Sequence, residues 1–378
     1  MDFSLSEEQQ EVRDLARKIL EDRCTHERLK QVEASEDGVD LELWRELARA
    51  NLLGVGLPEA CGGSAMGFFT TCLLLEELGR TVAQVPALAT LVLGALPIAR
   101  FGSEAQQRRW LPGVVSGELL LSAALLEAGS EDPTRPATSW RAADGGFVLD
   151  GVKICVPAAQ LAQRVLVPAR GADGRVAAFL VDPRAPGVTL VPQLTTNLER
   201  HAQLTLAAVR VGADELVGDL ARGGEILEWL AERATAALCA LQLGVSDRAL
   251  RMTATYAASR VQFDRPIGSF QAVHTRAADA FIDVEAMRLT TWLAAWRLDQ
   301  ELPAADEVAV AKYWAAEGGQ FVGYAAQHLH GGIGIDVDYP LHRYYRWAKQ
   351  LELTLGSAPV QLARIGARMA SEAAPPAC

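Results

Sequence analysis

Hydrophobic positions recur at helical spacing through the first third of the chain. Val12, Leu15, Ile19 and Leu20 form one stripe, and Ser6 ahead of Glu7 and Gln9 provides a helix cap. Leu41, Trp44, Leu47 and Leu52 mark a second amphipathic helix, ended by Gly54 and Gly56, and a third spans 69–79. Trp110-Leu111-Pro112 closes this region. Between about 118 and 225 the pattern changes to short β-rich runs: Phe147-Val148-Leu149, Arg164-Val165-Leu166-Val167 and Val176-Ala177-Ala178-Phe179-Leu180-Val181. Turn signals separate them at Asp144-Gly145-Gly146, Asp173-Gly174 and Pro186-Gly187, which predicts a small barrel or sandwich. Asp150-Gly151 reads as a hairpin turn by the same logic. Long helices return after 222, the first from about Gly224 to Arg260, then others near 271–299, 305–329 and 340–351. The fold class is therefore α+β: an N-terminal α-helical domain (1–117), a middle β domain (118–222) and a C-terminal helical bundle (223–378). The tail from Ala373 to Cys378 is expected to fray.

Composition narrows the function. With 378 residues, half of them hydrophobic, the chain can bury a large core in two or three domains. A net charge of −11 argues against nucleic acid, which needs a basic face. The longest apolar run, Val85 to Ala99, is fifteen residues and is interrupted by Pro86 and Pro97. A bilayer span needs about 18–20, so no membrane helix is expected. The opening Met1-Asp2-Phe3-Ser4 has neither a basic nor an apolar stretch; no signal peptide and a cytoplasmic location are expected. The six cysteines (24, 61, 72, 155, 239 and 378) form no CxxC pair and read as reduced and buried. The histidines show no zinc spacing. His328 and His330, two apart, suit neither one helix face nor an HExxH site and read as loop or flank residues, so no metal site is expected.

Two segments in the C-terminal third carry candidate chemistry: Arg260-Val261-Gln262-Phe263-Asp264-Arg265-Pro266-Ile267-Gly268-Ser269-Phe270-Gln271 and Gln327-His328-Leu329-His330-Gly331-Gly332-Ile333-Gly334. Arg260 stays charged and can grip phosphate oxygens with two N–H groups. Phe263 offers a flat apolar surface for an adenine and Gln271 a hydrogen-bonding neighbour. Gly331-Gly332 allows close backbone approach and lends N–H groups to phosphate. Taken singly, a Gly-Gly pair is usually a turn, and an arginine three before a phenylalanine is usually a helix end. The joint pattern, in order and behind a β-rich segment, is what is specific.

With Leu57-Pro58-Glu59-Ala60-Cys61-Gly62-Gly63, Glu76-Glu77-Leu78-Gly79 and Phe101-Gly102-Ser103 upstream, the chain resembles the acyl-CoA dehydrogenase family over nearly its whole length. The resemblance implies FAD as cofactor and α,β-dehydrogenation of an acyl-CoA thioester. It assigns cofactor contacts to Arg260, Phe263, Gln271, Gln327, Gly331, Gly332, Gly356 and Ser357. It also implies an electron-transferring flavoprotein as acceptor. The reaction needs a carboxylate to remove the α-proton. In many members that glutamate precedes a Gly-Thr pair; here the matching position, before Gly356-Ser357, is Leu355. Other members place it on the long helix before the arginine motif, where an ungapped count falls on Ala234. Glu232 lies two residues earlier, about 200° around a helix. It reads as a solvated glutamate beside Glu225 and Glu228, although Glu232-Arg233 resembles the Glu-Arg pair of those members and a local shift would make it the base. Glu352, three residues before the Leu355 position, ranks lower.

In the family each flavin lies between subunits, and a TEPxxGSD-like loop and a tryptophan segment of the middle domain hold its ring. Here those read Leu125-Leu126-Glu127-Ala128-Gly129-Ser130-Glu131-Asp132, without the threonine, and Ile154-Cys155-Val156-Pro157, without the tryptophan. The combination is similar to the base-less subunit of the α2β2 acyl-CoA dehydrogenases of actinobacterial steroid side-chain catabolism. Three readings stay open: a non-catalytic subunit completing a partner's FAD site, a self-sufficient homotetramer using Glu232, and a non-enzymatic acyl-CoA or flavin binder. Trp292, Trp296 and Trp314 read as core and interface anchors.

Overall fold

Ser6 opens the first helix, Glu7–Arg23, through a reciprocal cap: its hydroxyl accepts from Gln9 N–H (3.2 Å) and its own N–H donates to the Gln9 side chain (3.0 Å). The buried stripe is Ala16 and Leu20, and Leu15 points to solvent. In this computed structural model, residues 3–130 and 132–373 are described; Cys378 and most of the tail expected to fray lie outside them. A helix the sequence pattern did not reveal, His26–Ala34, follows, capped by Thr25. The helix Leu41–Arg49 stops before Gly54, because Asn51 turns the chain at φ 58°. The remaining N-terminal helices are Gly67–Thr81, Leu96–Phe101 and Glu104–Val115. The apolar run contains a π-helical stretch, Leu88–Ala95.

Eight strands follow: β1 (Leu121–Ala123), β2 (Ser139–Ala143), β3 (Gly146–Pro157), β4 (Arg164–Gly171), β5 (Val176–Val181), β6 (Val188–Leu194), β7 (Arg200–Gly212) and β8 (Leu216–Val217). They form one mixed sheet in the order β6-β7-β3-β2-β4-β5-β8, with β1 parallel to β4. Trp140, Phe179, Leu149, Leu204 and Val167 fill its core, and Phe147 packs edge-on to Trp140 at 5.6 Å. The hairpin expected at Asp150-Gly151 is absent. Both residues lie inside β3, at a register shift opposite β7. The glycine serves close approach, since a Cβ there would come within 2.8 Å of the Thr138 backbone. The real hairpin turn is at Gly145, with φ +77°.

The chain divides into two compact units, one of residues 5–74 and 84–234, the other of 3–4 and 75–83 with 235–373. In the second, Gly79 and Gly244 let two helices meet backbone to backbone. A Cβ on Gly79 would sit 2.1 Å from Leu241 O, and one on Gly244 would sit 1.9 Å from Glu76 O. A buried charge network surrounds this crossing. Arg288 reaches Glu76 (3.0 Å) and Asp247 (3.3 Å), Arg80 contacts Asp247 and Glu77, and Trp292 donates to Glu76 (3.1 Å). The helices Gln271–Asp299, Ala305–His330, Leu341–Leu353 and Ala358–Ala373 complete the unit.

Candidate functional site

The long helix Gly223–Ser259 ends just before Arg260, which is exposed and whose N–H still donates to Tyr256 O (2.8 Å). The chain then makes a minimal hairpin, β9 (Val261–Gln262) against β10 (Arg265–Pro266), with Phe263 and Asp264 alone at the turn. Both have positive φ, 52° and 62°. Two-residue turns of this kind normally take Asn-Gly. Holding a phenylalanine there costs about 1–3 kcal/mol, yet its ring is 88% exposed. Phe270 braces the hairpin from below, edge-on to Phe263 at 6.1 Å and under the Arg265 guanidinium at 4.0 Å. Gln271 is the exposed first residue of the next helix.

The second segment closes the helix Ala305–His330. Gly331 adopts φ 66°, ψ −143°, a conformation that suits glycine. A Cβ on Gly331 or Gly332 would meet nothing within 4 Å, so the backbone here faces open space. Gln327 donates to Gly334 O (3.1 Å), and its Oε1 is buried without a hydrogen-bond partner among the described residues. His328 and His330, read from sequence as loop or flank residues, lie in the last helical turn, and His330 is buried. The ring of His330 stacks on Tyr256 at 4.4 Å, one turn before Arg260. The helix end that leads into Arg260 thereby meets the helix end that leads into Gly331. Spacing along the chain gave no sign of this contact, because Tyr256 belongs to neither motif.

Gly356 and Ser357 lie in the turn between the last two helices, where their carbonyls accept from Gln361 (3.0 and 3.1 Å). Leu355 is buried, with φ 58°, and its carbonyl accepts from Gln361 (3.2 Å) and Arg364 (3.4 Å). Fully buried Lys312 donates to Leu351 O (2.5 Å) and Glu352 O (3.2 Å), placing a cation at the negative end of the preceding helix. A lysine inside Ala309-Val310-Ala311-Lys312-Tyr313-Trp314 gives no local signal of that role. Glu352 itself is engaged by Lys349 (2.5 Å).

In the first unit, Ala234 is wholly buried and Glu232 half-buried, with neighbours of its own. Arg233 stacks on Trp229 at 3.9 Å. Glu127, in the segment after β1, is turned inward. It accepts from Lys153 Nζ (2.6 Å), Thr138 Oγ1 (2.7 Å), Thr138 N (2.9 Å) and Ala137 N (2.5 Å). Burial alone would raise its pKa, but the bonds from Lys153 and Thr138 outweigh it and pull the carboxyl down to about 2. Cys155, in the Ile154–Pro157 segment that has no tryptophan, sits in a bulge of β3 with φ 50°. Among the described residues, no three His, Cys, Asp or Glu side chains gather into a metal-binding group, and no helix is long and apolar enough to cross a membrane.

Models of the acyl-CoA dehydrogenase N-terminal and C-terminal domains match residues 6–118 and 222–370. Acyl-CoA dehydrogenase FadE27 of Mycobacterium tuberculosis is 40% identical, over 98% of this chain and 99% of that protein. Among solved structures, the Tcur3481-Tcur3483 steroid ACAD G363A variant superposes with a TM-score of 0.92 at 46% identity, covering 98% of this chain and all of that one. The ChsE4-ChsE5 complex from Mycobacterium tuberculosis gives 0.93 at 41% identity, covering 99% of this chain and 100% of that one. The chain belongs to the acyl-CoA dehydrogenase family, oxidoreductases acting on CH–CH groups.

Proposed function

We propose that this chain is the base-less subunit of a heteromeric FAD-dependent acyl-CoA dehydrogenase, completing the cofactor site of a homologous partner. The observation that carries the reading is the strained, solvent-facing Phe263 beside Arg260, in a chain whose base position is Leu355. Backbone strain at an exposed aromatic is the kind of cost that clusters at ligand contacts. The site's chemistry fits the ADP half of FAD: an exposed arginine, an exposed ring, a Gln327 Oε1 without a hydrogen-bond partner among the described residues, and an open Gly331-Gly332 backbone.

In this reading Arg260 pairs with the pyrophosphate, Phe263 and Gln271 meet the adenosine, and Gln327, Gly331, Gly332, Gly356 and Ser357 give backbone and side-chain hydrogen bonds. Bound FAD supplies the acceptor for the hydride from the substrate β-carbon. Leu355 cannot take the α-proton, so the carboxylate that does comes from the partner. The inward-turned Glu127 and the lack of a tryptophan in the Ile154–Pro157 segment leave the middle domain poorly equipped to hold a flavin ring of its own. The domains are 1–117, 118–222 and 223–378. The substrate class is an acyl-CoA, with a steroid side chain suggested by the similar steroid ACAD. The acceptor is an electron-transferring flavoprotein, and the location cytoplasmic.

Flavin stoichiometry tests the reading. Purified alone, the chain is expected to be flavin-free; co-expressed with a homologous partner, it is expected to give one flavin per pair of chains in an α2β2 assembly. One flavin per chain in a homotetramer overturns it. The half-buried Glu232 beside the stacked Arg233 keeps a second reading, a self-sufficient homotetramer, specific enough to test. Turnover of the assembled enzyme is expected to stay at the wild-type rate in Glu232→Gln; its loss would move the base to Glu232.

A further inference from the structure

Arg260 and Gly331 each follow the end of a different helix, and nothing in either motif explains how they keep register. The structure supplies a clasp. His330 Nδ1 lies 2.8 Å from Ala326 O, an atom that can only accept, so Nδ1 carries the proton. The other ring nitrogen, Nε2, therefore accepts from the Tyr339 hydroxyl at 3.1 Å. The ring lies flat on Tyr256, 4.4 Å away and 19° from parallel, while Tyr339 covers it at 5.3 Å. One residue thus contacts the helix ending at Arg260, its own helix and the turn at 336–339. Its backbone leads directly into Gly331.

We propose that His330 is a positioning residue whose Nδ1–H imidazole, clasped by Tyr256, Ala326 and Tyr339, holds the Gly331-Gly332 turn in register with Arg260. The proposal rests on the reading of these segments as an FAD grip. It makes that grip sensitive to pH. The titratable groups facing His330 are the phenols of Tyr256 and Tyr339. Burial lowers the His330 pKa below its ordinary 6.5, against the opposing hydrogen bond to Ala326. A lowered histidine pKa means that opened forms take the proton first. The clasp is intact above pH 6.5 and weakens as pH falls below it. A proton on Nε2 would also turn an acceptor into a donor facing the Tyr339 hydroxyl.

The test measures FAD affinity of the assembled complex from pH 5 to 8, with hydrogen exchange of residues 327–337 as a second readout that needs no flavin. Wild type is expected to lose affinity below pH 6.5. His330→Phe keeps a ring against Tyr256 but loses both hydrogen bonds. It is expected to bind FAD about tenfold more weakly at pH 7.5, the worth of about one ordinary hydrogen bond. It should also lose the acid-side step and exchange faster at 331–334. Wild-type affinity with an unchanged pH profile overturns the proposal. Should His330→Phe not fold, Tyr339→Phe decides: weaker FAD binding supports the clasp, and unchanged binding overturns it. Arg260→Ala in the same assay separates the two layers. If it keeps flavin, the FAD grip itself is wrong; if it loses flavin while His330→Phe does not, only the clasp is.

Discussion

Replacing Glu127 by alanine is expected to destabilise the protein by about 3–5 kcal/mol, the usual result of stranding one member of a buried ion pair. Lys153 is wholly buried, so its ammonium would lose its carboxylate contact at 2.6 Å and could not reach water. The same substitution frees the N–H groups of Ala137 and Thr138 and the Thr138 hydroxyl, all bonded to Glu127. Thermal or urea unfolding, followed by tryptophan fluorescence, measures the loss, since Trp140 lies in the adjoining core. Replacing both partners, Glu127→Leu with Lys153→Met, should recover most of it, because two apolar groups need no pairing. The pH dependence has a fixed sign. A carboxyl held at about 2 in the fold, against 4.5 ordinarily, adds stability above pH 4.5 that is lost as pH falls toward 2. The double variant should lack that component of acid unfolding. An alanine variant as stable as wild type would mean that water reaches Lys153.

The largest functional effect is expected at the hairpin. Arg260→Ala should weaken FAD retention by the co-purified complex at least ~30-fold, from about 2 kcal/mol or more for removing one side of a desolvated charge pair. Phe263 offers a sharper diagnostic. Its φ of 52° costs the chain stability before anything binds. Glycine tolerates that backbone freely, so Phe263→Gly should hold or raise the thermal midpoint. Flavin retention should nevertheless fall, since a ring stacked on a base is worth about 1–3 kcal/mol. Opposite movement of stability and flavin affinity identifies a residue kept for contact. Parallel movement would make Phe263 merely part of the hairpin's packing.

What the sequence disclosed follows the range of the forces involved. Local rules placed Ser6 as a cap and Gln271 at the start of the helix Gln271–Asp299. They missed His26–Ala34, which buries only Leu29 and Val32 and so lacks a readable stripe. The Val85–Ala99 run concealed its π-helical stretch because apolar residues on every side leave no period to read. Asp150-Gly151 has the composition of a hairpin turn, but its glycine answers to Thr138 across the sheet. The same division holds at the site. Arg260, Phe263 and Gly331-Gly332 were legible as motifs. Tyr256 and Lys312 were not, because each acts on a segment distant in sequence.

The turn at Leu355 has a further consequence. Its left-handed backbone is held by carbonyl contacts from Gln361 and Arg364, and Lys312 anchors the helix before it. None of these bonds involves the Leu355 side chain. The backbone frame at position 355 is therefore held by groups other than its own side chain. Loss or gain of a proton acceptor there is a change of one side chain on a standing frame, so two chains of this fold can divide one reaction between them while keeping the same architecture.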